Sequence, residues 1–117
     1  MITVYGIPNC DTVKKARAWL TAQGQAHGFH DFKKAGVPPA ELAQWADAVG
    51  WEKLLNRQGT TWRKLDAATQ ASVTDSASAQ ALMLAQPSVI KRPVVDWGPG
   101  FSVGFDATAW ADRLKRA

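Results

Sequence analysis

The composition and the residue patterns of the sequence predict an α/β fold in a single domain, residues 1–117. The chain has 117 residues, of which 46% are apolar, enough for one hydrophobic core and too few for two independent domains. Its opening alternates strand-like and helix-like patterns, residues 38–86 are helical in pattern, and the last part returns to strand-like residues. A β-α-β unit, a helical segment and a β hairpin are therefore expected in that order.

A short strand followed by a turn opens the chain. Residues 2–5 mix β-branched and aromatic side chains, which is typical of a buried strand, and Gly6 and Pro8 stop the strand in a turn. Asn9 and Cys10 lie in that turn. We therefore expect Cys10 at the junction between a strand and a helix.

An amphipathic helix is expected over residues 11–23. Apolar side chains recur there at helical spacing and would face the sheet, whereas charged side chains fill the positions between them. Residues 27–32 resume a strand-like pattern, with Phe29 and Phe32 in a polar setting. The opening is therefore a β-α-β unit whose two strands should be parallel.

The pattern of residues 38–86 predicts a run of helices. The first begins after two prolines and ends at Gly50. Asp66 and Asp75 stand at N-cap positions before two alanine-rich helices. A loop is expected at residues 56–61.

The last part of the chain predicts a β hairpin and a final helix. Residues 94–95 and 101–105 are strand-like, and residues 98–100 contain the Gly-Pro-Gly turn between them. A helix should begin at Asp106, with Trp110 on its apolar side.

The chain is moderately basic. Fourteen Lys and Arg against ten Asp and Glu give a net charge of +4 and a sequence pI near 9.5. This excess favours anionic ligands, although it also suits ordinary solubility. The sequence lacks the dense clusters of Lys and Arg that are typical of proteins that bind nucleic acid, so no direct contact with nucleic acid is expected.

Other sequence features argue against a membrane protein, an exported protein and a metal site. No apolar run approaches the ~20 residues that span a bilayer, and the start has no basic segment followed by an apolar stretch and a cleavage site. A cytoplasmic protein without membrane contact is therefore expected. Cys10 is the only cysteine, so no internal disulfide can form, and with His27 and His30 as the only histidines no metal-ligand cluster is visible.

Cys10 is the candidate nucleophile. Unpaired backbone N–H groups and the positive end of the peptide dipole meet at a helix N-terminus, and both stabilise a thiolate relative to a thiol. The neighbouring carboxylate of Asp11 opposes this effect unless it points away or caps the helix. The alternative is that Cys10 is a small buried apolar side chain.

Three stretches of sequence match one known family in order and spacing. They are V-Y-G-I-P-N-C-D-T-V-K-K-A at residues 4–16, L-L-N-R-Q-G-T-T-W-R-K-L at residues 54–65 and I-K-R-P at residues 90–93. Over nearly the whole chain they resemble the arsenate reductase (ArsC)/Spx family, in particular its YffB-type members. The resemblance implies a thioredoxin-like fold, with a mixed four-stranded sheet into which the helical bundle of residues 38–86 is inserted.

The same resemblance implies an active site. The catalytic cysteine of the family falls on Cys10, and Asn9 beside it is assigned to substrate binding. Pro93 falls at the position of a cis-proline facing the cysteine, which would leave the Arg92 backbone free to pair with a peptide-like substrate such as glutathione. The Arg92 guanidinium would bind a carboxylate or oxyanion, and Arg57 falls at the position of an anion-binding arginine. In isolation, the Lys91–Arg92 pair would more often be solvated surface charge, and Arg63 and Lys64 equally suit a solvated surface.

Departures from the family argue against arsenate as the substrate. Arsenate reductases carry a histidine four residues before the cysteine, where this chain has Gly6, and a further arginine in the closing β segment. No Lys or Arg occurs here between Arg92 and Arg113. Losing one oxyanion donor weakens transition-state binding by about 3 kcal/mol. The C-x-x-C pair of Spx regulators is also absent, because Val13 occupies its second position.

The chain is therefore expected to be a glutathione-dependent thiol/disulfide reductase with one nucleophilic cysteine. Cys10 would react with a small disulfide or a glutathione mixed disulfide, with glutathione as co-substrate. An external thiol would resolve the adduct, and glutaredoxin is a candidate protein partner. An arsenate reductase, and an Spx-like transcription regulator that binds the RNA polymerase α subunit, are the alternative interpretations. A thioredoxin-like protein with neither activity is a third.

Overall fold

The computed structural model describes residues 2–116 of the chain, with side chains through Lys115. Met1 and Ala117, the two ends of the predicted domain, lie outside the described residues. The strands in this range are β1 Ile2–Gly6, β2 His27–Asp31, β3 Val94–Asp96 and β4 Phe101–Val103. The helices are α1 Asp11–Ala22, α2 Phe32–Ala35, α3 Pro39–Val49, α4 Trp51–Leu54, α5 Thr60–Lys64, α6 Ala67–Ala71, α7 Ser76–Ala85 and α8 Ala107–Arg116. None of these helices is long and apolar enough to cross a membrane.

The four strands form one mixed sheet in the order β2-β1-β3-β4. β1 and β2 are parallel, with Tyr5 opposite His30, so the predicted parallel β-α-β opening is confirmed. β3 is antiparallel to β1, with Val4 opposite Val95, and β4 is antiparallel to β3. The mixed four-stranded sheet implied by the family resemblance is therefore confirmed.

Two clusters of buried side chains form the core. Alternate side chains of β1 point to opposite faces of the sheet, so Val4 joins one cluster and Tyr5 packs against the other. The first cluster joins the sheet to α1 and α8 and contains Ile2, Val4, Ala16, Leu20, Val95, Trp97 and Trp110. The second joins the sheet to the inserted helices and contains Ile7, Phe32, Leu42, Trp45, Ala46, Leu54, Leu55, Val73, Ala79, Met83, Val89, Ile90 and Val94.

Helices α3 to α7 lie between β2 and β3, within the predicted helical segment. Oδ1 of Asp66 accepts the N–H of Thr69 at 2.8 Å, and Oδ1 of Asp75 accepts the N–H of Ser78 at 2.9 Å. Both predicted N-caps are therefore confirmed. Hydrogen bonding from the Thr69 side chain and backbone lowers the pKa of Asp66, and hydrogen bonding from the Ser78 backbone and side chain lowers the pKa of Asp75.

Local features differ from the sequence prediction. β4 ends at Val103, two residues before the predicted end at residue 105. α2 is an additional short helix, which begins where the Asp31 side chain accepts the N–H of Lys33 at 2.8 Å. α5 begins at Thr60, inside the loop predicted at residues 56–61, because Gly59 adopts an extended N-cap conformation and starts the helix there. The loop before α5 is therefore shorter than predicted.

The inserted helices are tied to the sheet through the segment that precedes β3. Leu55, directly after α4, forms an isolated antiparallel bridge with Ile90. The N–H of Lys91 donates to the carbonyl of Leu54 at 2.8 Å. These contacts place the loop between α4 and α5 next to the entrance of β3.

Replacing Leu54 by alanine tests this coupling between the insertion and the sheet. Leu54 is fully buried, so Leu54→Ala should lower the free energy of unfolding by about 2–5 kcal/mol, measured by urea denaturation. Leu84 on α7 is 42% exposed. Leu84→Ala is therefore the matched control and should change that free energy by no more than about 0.5 kcal/mol. Equal losses in the two variants would contradict the packing described here.

Because the Asp75 carboxylate caps α7, the stability of the folded protein should depend on pH. Because its pKa is lowered in the folded protein, Asp75 contributes stability that is fully present above its ordinary pKa of 3.8 and is lost as the pH falls through the lowered value. Asp75→Asn keeps an oxygen acceptor but does not titrate. The thermal midpoint of the wild type should exceed that of Asp75→Asn at about pH 7, and the difference should shrink toward about pH 2. A difference that stays constant over this range would show that the cap does not titrate.

Candidate active site

Cys10 lies at the N-terminus of α1. It occupies the N-cap position in an extended conformation, with φ −132° and ψ 122°, and its carbonyl accepts the N–H of Lys14 at 2.9 Å. No side chain within residues 2–116 caps this helix, so the first-turn N–H groups are open to a negative charge at the sulfur. The side chain of Cys10 is only partly buried. The expected position at a strand-to-helix junction is confirmed, and the alternative of a fully buried apolar thiol is wrong.

Arg92–Pro93 forms the entrance to β3. The peptide bond between these residues is cis, as the family resemblance implies. Pro93 is fully buried, and its carbonyl accepts the N–H of Gly104 at 2.9 Å. Arg92 is partly exposed, and neither its backbone nor its side chain hydrogen-bonds to any residue in the described range. The backbone and the guanidinium of Arg92 are therefore both available to a ligand.

Strand pairing places this segment and the cysteine loop at the same end of the sheet. Tyr5, near the end of β1, pairs with Val94, the first residue of β3. Because the strands are antiparallel, the chain leaving β1 toward Cys10 and the chain entering β3 from Arg92–Pro93 meet at this end. Ile7, in the loop after β1, belongs to the same buried cluster as Val94. We call this region the thiol end of the sheet.

Arg57 lies in the loop between α4 and α5. The N–H of Asn56 donates to the carbonyl of Val89 at 2.7 Å, so this loop runs beside the segment that leads into β3. The Arg57 guanidinium lies over the rings of Trp51 and Trp62, at 5.7 and 5.8 Å from their centroids. Two tryptophans from separate helices therefore hold an exposed cation in place. Its role in anion binding stays a prediction.

Further exposed polar side chains lie around the thiol end. Lys14 and Lys15 lie on α1, in the turn after Cys10, and both are exposed. The exposed Lys33 and Lys34 lie on α2, which directly follows the end of β2, beside the end of the parallel strand β1. Asn9 is also exposed, and its predicted contact with substrate stays a prediction. The surroundings of the thiol are therefore rich in cationic groups.

Two titratable side chains of the sheet, Tyr5 and His30, contact each other. Burial raises the pKa of Tyr5, and the negative charges of Asp96 and Glu41 raise it further. The Tyr5 ring lies 5.1 Å from the ring of His30, whose Nε2 is 2.8 Å from the Gly36 carbonyl. Tyr5 is therefore a neutral phenol at neutral pH and not a general base.

The groups at the thiol end determine which chemistry is available there. Within residues 2–116, no three side chains of His, Cys, Asp or Glu are grouped so that they could hold a metal ion. The thiol end instead combines one thiol, guanidinium and ammonium groups, and backbone amides. This set suits thiol–disulfide exchange with an anionic substrate.

A separate hollow lies at the opposite end of β1. It has a volume of about 880 Å³, and Ile2, Trp97, Trp110 and Arg113 are among the residues that line it. None of the predicted site residues lines this hollow. The Arg113 guanidinium lies 5.4 Å over the Trp97 ring. The site proposed from the sequence and this hollow are therefore distinct regions of the molecule.

Comparisons with known proteins agree with this geometry. A family model described as "ArsC family" matches residues 5–112. The solved structure of a protein named YffB is 49% identical, covers 96% of this chain and 97% of its own, and superposes with a TM-score of 0.91. An uncharacterized protein of Haemophilus influenzae is 41% identical over 91% of this chain and 92% of its own length. A protein of Streptococcus agalactiae named global transcriptional regulator Spx is 27% identical over 91% of this chain and 77% of its own length.

Proposed function

Because the chain belongs to the ArsC family, we propose that it is a glutathione-dependent thiol/disulfide reductase in which Cys10 is the only nucleophile. One observation carries the proposal. Cys10 stands at the N-cap of α1, at the end of the sheet where the cis Arg92–Pro93 segment enters β3. A thiol at this position can attack a disulfide whose peptide part pairs with the Arg92 backbone.

The proposed cycle has two exchange steps. The Cys10 thiolate attacks the glutathione sulfur of a mixed disulfide, so that the original S–S bond breaks and a Cys10–glutathione disulfide forms. The departing thiolate takes up a proton and leaves as the reduced product. A second glutathione thiolate then attacks the adduct, releases oxidised glutathione and regenerates the Cys10 thiolate. The resolving thiol is external because the chain has no second cysteine, and a glutaredoxin could serve in its place.

The neighbouring residues would bind the tripeptide. The Arg92 backbone is available to its peptide groups, and the Arg92 guanidinium can hold a carboxylate in a bidentate pair. Arg57, held by its two tryptophans, would meet a second carboxylate. Asn9 would contribute amide hydrogen bonds from the exposed turn beside Cys10. A site of this composition fits a cytoplasmic enzyme, where glutathione keeps thiols reduced.

Arsenate fits the site less well than a glutathione disulfide. Position 6 carries no side chain that could donate to an oxyanion, and β4 contains no Lys or Arg. A covalent arsenate adduct needs several converging donors, and each missing donor costs about 3 kcal/mol of transition-state stabilisation. We therefore assign the cationic groups of the thiol end to a peptide-like anion.

The nucleophile is tested by mass spectrometry. Incubation of the protein with oxidised glutathione should give one glutathione adduct on Cys10, and reduced glutathione in excess should remove it. Cys10→Ser should form no adduct and lose reductase activity toward glutathione mixed disulfides. Arg92→Gln serves as a second variant, which keeps the thiol but should react about tenfold more slowly, because a charge-assisted pair is lost. A wild-type protein that stays unmodified would reject the proposal.

The cationic surroundings predict a preference for anionic disulfides. Oxidised glutathione should react with Cys10 about tenfold faster than the cationic disulfide cystamine, after correction for their rates with free cysteine. Raising the ionic strength from about 0.01 M to about 1 M should reduce this preference, because the Debye length falls from about 30 Å to about 3 Å.

Charge-reversal variants locate the source of this preference. Lys33→Glu with Lys34→Glu should lower it, whereas Lys115→Glu, on α8 beside the C-terminal end of α1, should leave it unchanged. Stopped-flow measurement of the rates of both disulfides with the wild type and the two variants is sufficient. An effect of Lys115→Glu half as large as that of the double variant, in proportion to the changes in net charge, would show that net charge, and not the thiol end, is responsible.

A second candidate function is regulation of transcription. It is favoured by the relatives named global transcriptional regulator Spx and by exposed basic residues of the insertion, Arg57 in the loop before α5 and Arg63 and Lys64 on α5. In this alternative the basic helices would bind the RNA polymerase α subunit. Retention of the purified C-terminal domain of that subunit by the immobilised protein, abolished by Arg63→Glu with Lys64→Glu, would support the regulator. The reductase requires no such contact.

A further inference from the structure

Gly6, the last residue of β1, lies against the first turn of α1. Gly6 is buried, and a Cβ placed on it would be 2.9 Å from Cγ2 of Val13. Carbon atoms in a packed interior do not approach each other so closely, so a side chain at position 6 would force a neighbour to move. Because glycine has no side chain, position 6 allows α1 to pack closely on β1.

The first turn of α1 is the part most easily displaced. Val13 is 1% exposed, and a β-branched side chain in a helix has one strongly preferred rotamer, so Val13 cannot turn away. On its other side, Gly6 is held in register opposite Asp31 of β2. A Cβ at position 6 would therefore push the helix end that carries Cys10, and not the sheet.

We propose that Gly6 is a positioning residue that sets the location of the Cys10 sulfur relative to Arg92–Pro93. The inference rests on the proposed function, because it concerns the same thiol. A side chain at position 6 would leave Cys10 at the N-terminus of α1 but shift that helix end by a fraction of an ångström from the entrance of β3. The sulfur would then lose its alignment with a disulfide held beside Arg92.

This displacement should affect two reactions of the thiol differently. Alkylation by iodoacetamide, a small reagent, needs only the sulfur and the helix N-terminus around it. Disulfide exchange needs the attacking sulfur in line with the S–S bond of a disulfide held in the site. A positioning role therefore predicts a selective loss of exchange, which general destabilisation of the fold would not produce.

The experiment compares five proteins: the wild type, Gly6→Ala, Val13→Ala, the double variant and Gly28→Ala. Gly28 on β2 is the matched control, because a Cβ there would lie 4.0 Å from Oγ1 of Thr3, an ordinary contact. For each protein, the rate of Cys10 alkylation and the rate of exchange are measured, with thermal midpoints recorded alongside. Exchange is measured with oxidised glutathione and, in a second series, with 2-hydroxyethyl disulfide.

Gly6→Ala should slow exchange about tenfold while alkylation stays within about twofold of the wild type. Val13→Ala removes the atom that a Cβ at position 6 would meet, so the double variant should exchange within about threefold of Val13→Ala alone. Gly28→Ala should match the wild type in both reactions. If Gly6→Ala does not fold, exchange in the double variant that is far slower than in Val13→Ala still overturns the inference.

Three results would overturn the inference. The first is disulfide exchange in Gly6→Ala that is as fast as in the wild type, and the second is an equal loss of alkylation and exchange in folded Gly6→Ala. The third is exchange in the double variant that is far slower than in Val13→Ala. A wild type that reacts with 2-hydroxyethyl disulfide but not with oxidised glutathione overturns the proposed function alone, and the second series then tests Gly6. A wild type that reacts with neither disulfide overturns both.

Discussion

The antiparallel pairing of β1 with β3 is the constraint on which the candidate site depends. Tyr5 opposite Val94 fixes the register, and a slip of one residue would turn every side chain of β3 to the other face. Val94 and Val95 are both fully buried, on opposite faces of the sheet, so packing on each side opposes such a slip. This register brings the Cys10 loop and Arg92–Pro93 to one end of the sheet. The site is thus built from two segments that are distant in sequence and joined by three residue pairs between β1 and β3.

The inserted helices add to the site through a second pairing. The bridge between Leu55 and Ile90 fixes the insertion to the chain just before β3, and the buried cluster around Leu54 holds it there. Arg57 consequently emerges beside the entrance of β3, where its guanidinium lies within 5.8 Å of two tryptophan rings. Exposed lysines on α1 and α2 extend the positive surface around the thiol. In this arrangement the loop after β1 carries the thiol, and cations from α1, α2, the entrance of β3 and the insertion surround that end of the sheet.

Local sequence signals predict the elements well and their packing poorly. The strand at residues 2–5, the helix after Cys10 and the cap at Asp75 depend on neighbouring residues, and all three are confirmed. The mixed four-stranded sheet depends on pairing between distant segments and follows from the family resemblance, whereas the order of its strands is given by the structure alone. The placement of Arg57 between two tryptophans depends on how separate helices pack, which no local pattern encodes. Gly6 reads in the sequence as a turn residue, and only its approach to Val13 reveals a packing role.

The central claim is that Cys10 and Arg92–Pro93 form one ligand site, and protection of the thiol by a non-reactive ligand tests it most directly. S-methylglutathione carries the tripeptide but cannot form a disulfide. The account predicts that it slows iodoacetamide alkylation of Cys10 in a saturable manner, and that Arg92→Gln weakens this protection whereas Lys91→Gln does not. An alkylation rate that is independent of S-methylglutathione in the wild type would contradict the account.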